Sequence, residues 1–218
     1  SRVRNSIAMN ARLEGLSLWD RDVVRYLDSD RIPIFNPIED FLFGLDVRWD
    51  GHDRIRELAA RVPCNNRHWA DLFYRWFLNM VAHWRQTDRK YANCTVPLLV
   101  GPQAYRKSTF CRSLLPPELQ AYYTDRIDFS NKRDAEISLN RFALINMDEF
   151  DQNRVNQQAF LKHIFQKPIV NVRRPHGTAT QEMRRYASFI GTSNHKDLLT
   201  DTSGSRRYIV VDVLSLIH

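Results

Sequence analysis

The residues best suited to chemistry begin with Gly101, followed by Lys107, Ser108 and Thr109. They lie after the apolar run Val96–Val100 and before an apolar-periodic segment carrying Phe110, Leu114 and Leu115. A strand, a loop and a helix opening on Lys-Ser-Thr together suit a bound phosphate group. Backbone N–H groups and the helix start face the anion, the Lys ammonium reaches its outer oxygens, and the Ser hydroxyl serves Mg²⁺. The full pattern is G-x-x-x-x-G-K-[ST], and Arg106 occupies its second Gly position. A glycine there tolerates positive φ and lets the backbone approach the ligand closely. Arg106 at positive φ costs about 1–2 kcal/mol, although its charge favours phosphate.

Three further groups could join this loop. The apolar run at 142–147 ends in Asp148-Glu149. Asp148 suits a hydrated Mg²⁺ and Glu149 suits polarising an attacking water; the plainer alternative is a pair of carboxylates capping the next helix. The run at 186–191 leads through Thr192 and Ser193 to Asn194, whose amide can hydrogen-bond a terminal phosphate or the attacking water, or else form a turn. Arg206 and Arg207 stand at the mouth of the run at 208–213. An arginine delivered across a subunit boundary stabilises charge on a transferred phosphoryl group; a solvated basic turn or an ion pair is the alternative. Loop and carboxylates together point to a P-loop NTPase architecture.

These groups need elements to hold them. Residues 1–35 alternate arginines with apolar positions, and Leu18, Val23, Val24 and Leu27 are spaced for a short amphipathic helix starting near Ser17 or Asp20. Pro33, Asn36 and Pro37 mark a break, with Pro37 suited to the first position of a helix through Phe41 to Leu45. Trp49-Asp50-Gly51 reads as a turn and 54–61 as another short helix. Over 67–85, Trp69, Leu72, Phe73, Trp76, Phe77, Met80, Val81 and Trp84 recur at helical spacing and make a wide apolar face. Beside Arg67, Arg75 and Arg85 such a stripe could stack bases, but aromatics at this spacing are expected in a core. Residues 1–92 are therefore expected to be an all-helical N-terminal region. Residues 93–218 are expected to be an α/β core, a mostly parallel sheet flanked by helices, because near-continuous apolar runs alternate with helical or loop material.

Composition narrows the class. With 43% hydrophobic and 26% charged residues, the chain belongs with neither disordered nor membrane-embedded proteins. Thirty-two Lys and Arg against 25 Asp and Glu leave +7, which favours polyanionic partners. Cys64, Cys94 and Cys111 are scattered and odd in number, against a disulfide scaffold or zinc site and in keeping with a reducing, cytoplasmic setting. No apolar run nears the roughly 18 residues of a membrane span, and no signal peptide is legible, so no membrane partner is expected. A start at Ser1 and an end just after a strand-like run suggest a fragment of a longer protein.

In this order the motifs resemble the virulence-associated E family, whose core is similar to superfamily 3 helicases and D5-type primase-helicases within the AAA+ ATPases. The resemblance rests on Gly101 with Lys107 to Phe110, Ile145 to Glu149, Arg173-Arg174-Pro175-His176-Gly177, Phe189 to Asn194, and Gly204 to Tyr208. Asn36-Pro37, Phe41-Leu42 and Trp49-Asp50-Gly51 resemble the family's lead-in. It implies an AAA+-like core that uses ATP and Mg²⁺. Gly101, Arg106, Lys107, Ser108 and Thr109 would sit at the nucleotide and Ser108 with Asp148 at the metal. Glu149 would be the catalytic base, Asn194 the sensor, and Arg206 or Arg207 a finger given to a neighbouring subunit. It also implies a homo-oligomeric ring and a basic hairpin gripping single-stranded DNA through Arg173, Arg174 and His176. Clustered Arg with His and a Gly turn suits phosphate contact in its own right, while Arg173 could instead be a structural charge near the nucleotide. The expected function is a DNA helicase or translocase in replication of a phage, prophage or other mobile element. A non-hydrolysing nucleotide- and DNA-binding assembly module, with its loop altered by Arg106, is the alternative. A P-loop kinase or phosphotransferase is a weaker third reading, opposed by Asn194, Arg206-Arg207 and the basic balance.

Overall fold

In the computed structural model, the apolar runs become strands of one parallel sheet. The structure describes residues 2–33, 35–45, 49–87, 90–150, 155–172, 180–195 and 205–217. Strands β1 (Val96–Val100), β2 (Tyr123–Thr124), β3 (Leu144–Met147), β6 (Ser188–Ser193) and β7 (Tyr208–Asp212) lie in the order β2-β3-β6-β1-β7, every neighbouring pair parallel. Strands β4 (Ile169–Val172) and β5 (Gln181–Arg184) form a separate antiparallel pair. The chain divides into two compact units, residues 1–37 and 38–218. The first holds α1 (Arg2–Leu13) and α2 (Asp20–Leu27), in which Ala8 and Val23 are buried.

In the second unit, period-2 alternation sends successive strand residues to opposite faces of the sheet. Leu99, Leu144, Ile190 and Val211 enter one core with α4 (Arg54–Ala60), α5 (Trp69–Trp84) and α6 (Lys107–Ser113). Val96, Leu98, Val100, Ile145, Met147 and Phe189 enter the other with α7 (Lys132–Arg141), α8 (Val155–Gln166) and the β4–β5 pair. The α5 stripe is core: Trp69, Phe73, Trp76, Met80 and Trp84 are each 3% exposed or less. Trp69 Nε1 donates to Ala59 O (2.9 Å) and Trp84 Nε1 to Ala143 O (3.3 Å), tying α5 to α4 and to the residue before β3.

Several boundaries move for identifiable reasons. Helix α3 (Pro37–Phe43) begins at its proline as expected. Helix α2 starts at Asp20 with Trp19 as its cap, because the Asp22 carboxylate accepts the Trp19 N–H at 3.1 Å. Strand β3 starts at Leu144 rather than 142, since the Phe142 N–H still bonds Ser138 O and closes α7. Strand β6 runs two residues later than the apolar pattern, because the N–H groups of Tyr186 and Ala187 both donate to Leu139 O. Helix α1 and the two-residue β2 had no periodicity to announce them.

Arg185 is fully buried, and its guanidinium donates to five carbonyl oxygens. Three are at the C-terminal end of α8 (Ile164 3.2 Å, Phe165 2.8 Å, Lys167 2.8 Å), with Ala187 at 2.7 Å and Asn93 at 3.3 Å. It caps α8 from inside the core and joins that helix to the chain entering β1 and β6. Among the described residues, no helix is long and apolar enough to cross a membrane.

Candidate functional site

The carboxyl ends of β1, β3 and β6 meet at one cleft of about 230 Å³, as expected for a ligand site in an open α/β sheet. Its walls are the loop 103–106, the start of α6 at Lys107, Ser108 and Thr109, the Asp148-Glu149 pair beyond β3, and Thr192, Ser193 and Asn194 from the end of β6. Because β6 lies between β1 and β3, Asn194 emerges between the loop and the carboxylates.

The loop leaves β1 at Gly101, whose N–H donates to Ser193 O at 3.1 Å. A Cβ there would stand 3.0 Å from the Val213 carbonyl oxygen, so any larger residue would press on the chain passing beyond β7. That passing segment also holds the loop's far side, where the Ile217 N–H donates to Tyr105 O at 3.2 Å. Arg106 adopts φ 59°, ψ 26°, the left-handed conformation that its place in the pattern implies, and Ala104 has φ 70°. Left-handed residues in a short loop gather N–H groups into an anion-binding concavity. Lys107, Ser108 and Thr109 then begin α6, where N–H groups have no carbonyl four residues earlier in the helix.

Lys107 is only 7% exposed, and its ammonium donates to Gly101 O (2.6 Å), Pro102 O (2.8 Å) and Asn194 Oδ1 (3.1 Å). The Ser108 hydroxyl donates to Asp148 Oδ1 at 2.8 Å, and the Thr192 hydroxyl donates to the same oxygen. Glu149 follows with φ 51° and an exposed side chain, so the backbone turns sharply just after Asp148. Among the described residues, no group of three or more His, Cys, Asp and Glu gathers as a metal cluster. One hydroxyl and one carboxylate, both hard oxygen donors, suit Mg²⁺ that takes its remaining ligands from phosphate and water.

Thr192 is the site residue that sequence reasoning passed over. Its signal was its place two residues before Asn194, at the end of the run that delivers both to the cleft. Arg206 and Arg207 stand elsewhere. They close a short 3₁₀ turn (Ser205–Arg207) before β7, whose first residue, Tyr208, pairs with Val96 at the start of β1. They therefore lie at the amino end of the sheet, with about 13 Å of strand between them and the level of the loop. Arg173, Arg174 and His176 fall between β4 and β5, outside the described residues.

Cys111, on α6 one turn beyond Lys107, is fully buried. Burial and, secondarily, the Asp148 charge push its thiol well above the ordinary range. Cys64 and Cys94 are half-buried. Alkylation of the folded protein near pH 8 is therefore expected to label Cys64 and Cys94 and spare Cys111 until denaturant is added, which peptide mass spectrometry reads directly.

The family model of the virulence-associated protein E-like domain matches residues 44–217. No curated protein matches the sequence. Among solved structures, the A form apo structure of the NrS-1 C-terminal region superposes with TM-score 0.51 at 15% identity, covering 80% of this chain and 40% of that one. A second apo structure of the same region gives TM-score 0.51 at 14% identity, covering 80% and 41%. The structure of C. elegans PCH-2 gives TM-score 0.44 at 12% identity, covering 76% and 48%. The likeness to the NrS-1 region is one of fold, and the chain spans about 40% of that region's length.

Proposed function

The chain belongs to the virulence-associated protein E-like domain family, and on that premise we propose that it is an ATP-hydrolysing motor that unwinds or travels along DNA, in replication of a phage, prophage or other mobile element. Residues 93–218 are its AAA+-like P-loop core and residues 1–92 a helical lead-in, assembled as a homo-oligomeric ring on single-stranded DNA. The supporting observation is the meeting of Lys107, Ser108, Asp148, Glu149 and Asn194 in one cleft at the ends of three adjacent strands.

Bound MgATP supplies the phosphoanhydride bond that is cleaved. The Lys107 ammonium and the first N–H groups of α6 hold the phosphates, with the Arg106 guanidinium adding charge at the loop. Ser108 and Asp148 hold the ion and its waters. Glu149 takes a proton from the attacking water at a carboxylate oxygen, and the Asn194 amide orients that water. Arg206 or Arg207 serves a neighbouring subunit, while Arg173, Arg174 and His176 contact DNA phosphates. The test is ATP hydrolysis with Mg²⁺, with and without single-stranded DNA. DNA-stimulated turnover is expected, and its absence overturns the motor.

One observation favours a second reading. Arg106 occupies a left-handed position where the pattern has glycine, so the loop could bind nucleotide without turning it over. ATP and DNA binding without hydrolysis selects that assembly module. Replacing Arg106 by Gly in the same assays measures what that residue costs. Relief of about 1–2 kcal/mol of left-handed strain is about half offset by about 0.4–1 kcal/mol of extra unfolded-chain entropy. The thermal midpoint is therefore expected to move by only a few degrees while turnover rises, as melting and hydrolysis assays on the same preparation would record.

A further inference from the structure

We propose that Thr192 is a positioning residue for the Asp148 carboxylate, holding from β6 the group assigned to Mg²⁺; this rests on the nucleotide-site reading above. Asp148 lies just beyond the last paired residue of β3, Met147, and its side chain is exposed, so the sheet alone does not orient it. Two hydroxyls do. Ser108 Oγ and Thr192 Oγ1 both donate to Oδ1. A carboxylate offers about four lone-pair positions, so two donors occupy Oδ1 and leave Oδ2 for an ion's water shell.

The two ties differ in kind. Ser108 is itself assigned to the ion and belongs to the loop–helix junction. Thr192 is 2% exposed, sits opposite Leu99 of β1, and is fixed between β1 and β3. Two residues on, just past the end of β6 and lining the same cleft, Asn194 Oδ1 accepts from the Lys107 ammonium. The end of β6 thus orients both the cation and the anion of the cleft. Partners that orient a metal ligand are typically worth 10–100-fold in metal affinity or activity.

The experiment measures binding of a fluorescent ATP analogue as Mg²⁺ is titrated, together with thermal midpoints, for the parent, Thr192→Val and Thr192→Ser. Thr192→Val is expected to raise the half-saturating Mg²⁺ concentration about tenfold or more, leaving Mg²⁺-free affinity and the midpoint near the parent's, and Thr192→Ser is expected to restore the parent value. An unchanged Mg²⁺ requirement in Thr192→Val, or a Thr192→Ser variant equally impaired, overturns the proposal while leaving the nucleotide site standing. A parent that binds no nucleotide at any Mg²⁺ concentration removes both. Should Thr192→Val not fold, Thr192→Ala read against Thr192→Ser makes the same comparison.

Discussion

Replacing Lys107 by alanine is expected to lower ATP hydrolysis by at least a factor of about 100 while the thermal midpoint stays within a few degrees of the parent. Removal of one preorganised donor to developing negative charge typically costs about 10²–10³ in rate. In the proposed role Lys107 is that donor: its ammonium is held at the start of α6 by Gly101 O, Pro102 O and Asn194 Oδ1, and a bound phosphate would take over part of this set. The fold should tolerate the change. Lys107 and its acceptor Asn194 line the cleft, so water can enter where the ammonium was, and a nearly buried charge is removed along with its desolvation cost. Steady-state hydrolysis beside a melting curve checks both halves. A variant with full turnover would disprove the phosphate-loop assignment.

Replacing Arg185 by leucine should destabilise the folded chain by about 3–5 kcal/mol, because several carbonyls lose their donor at about 1–3 kcal/mol each while the guanidinium's own desolvation cost is relieved. The change strands carbonyls in mostly buried surroundings. Ile164 O, Phe165 O and Lys167 O end α8, where the helix leaves its last acceptors unpaired and partially negative. Burial alone disfavours the guanidinium charge. The five carbonyls, and the Phe189 ring with its centroid 5.5 Å away, are what hold it there. Lysine should recover only part of the loss, because a single ammonium cannot reproduce the planar fork. Urea unfolding of the three proteins measures the difference, and a leucine variant within about 1 kcal/mol of the parent would refute the account.

The parts legible in the sequence were those with a local signature. Gly101, Lys107 and Ser108 are marked by spacing, and the runs that became β1, β6 and β7 are apolar without helical period because both sheet faces are covered. The α5 stripe announced itself through bulk and repeat. What stayed hidden depends on partners distant in the chain. Arg185 looks like one more surface cation beside Arg184, yet its acceptors lie on α8 and before β1. The two residues of β2 carry no pattern of their own and are strand only because β3 lies beside them. Thr192 gains its role from Asp148, 44 residues away. The sequence placed Arg206 and Arg207 at the mouth of a strand, but strand order was needed to show which end of the sheet that mouth faces.

That last placement bears on symmetry. The loop opens at the carboxyl end of β1 and the arginine pair precedes the amino end of β7, its parallel neighbour. A two-fold dimer uses one patch on both copies, so it serves the finger only where that patch holds both the arginine pair and the cleft. A head-to-tail contact joins the two unlike ends directly and meets the proposed finger role by repeating from each copy to the next. Such a heterologous contact closes into a ring when its rotation divides a full turn, and otherwise continues as a filament.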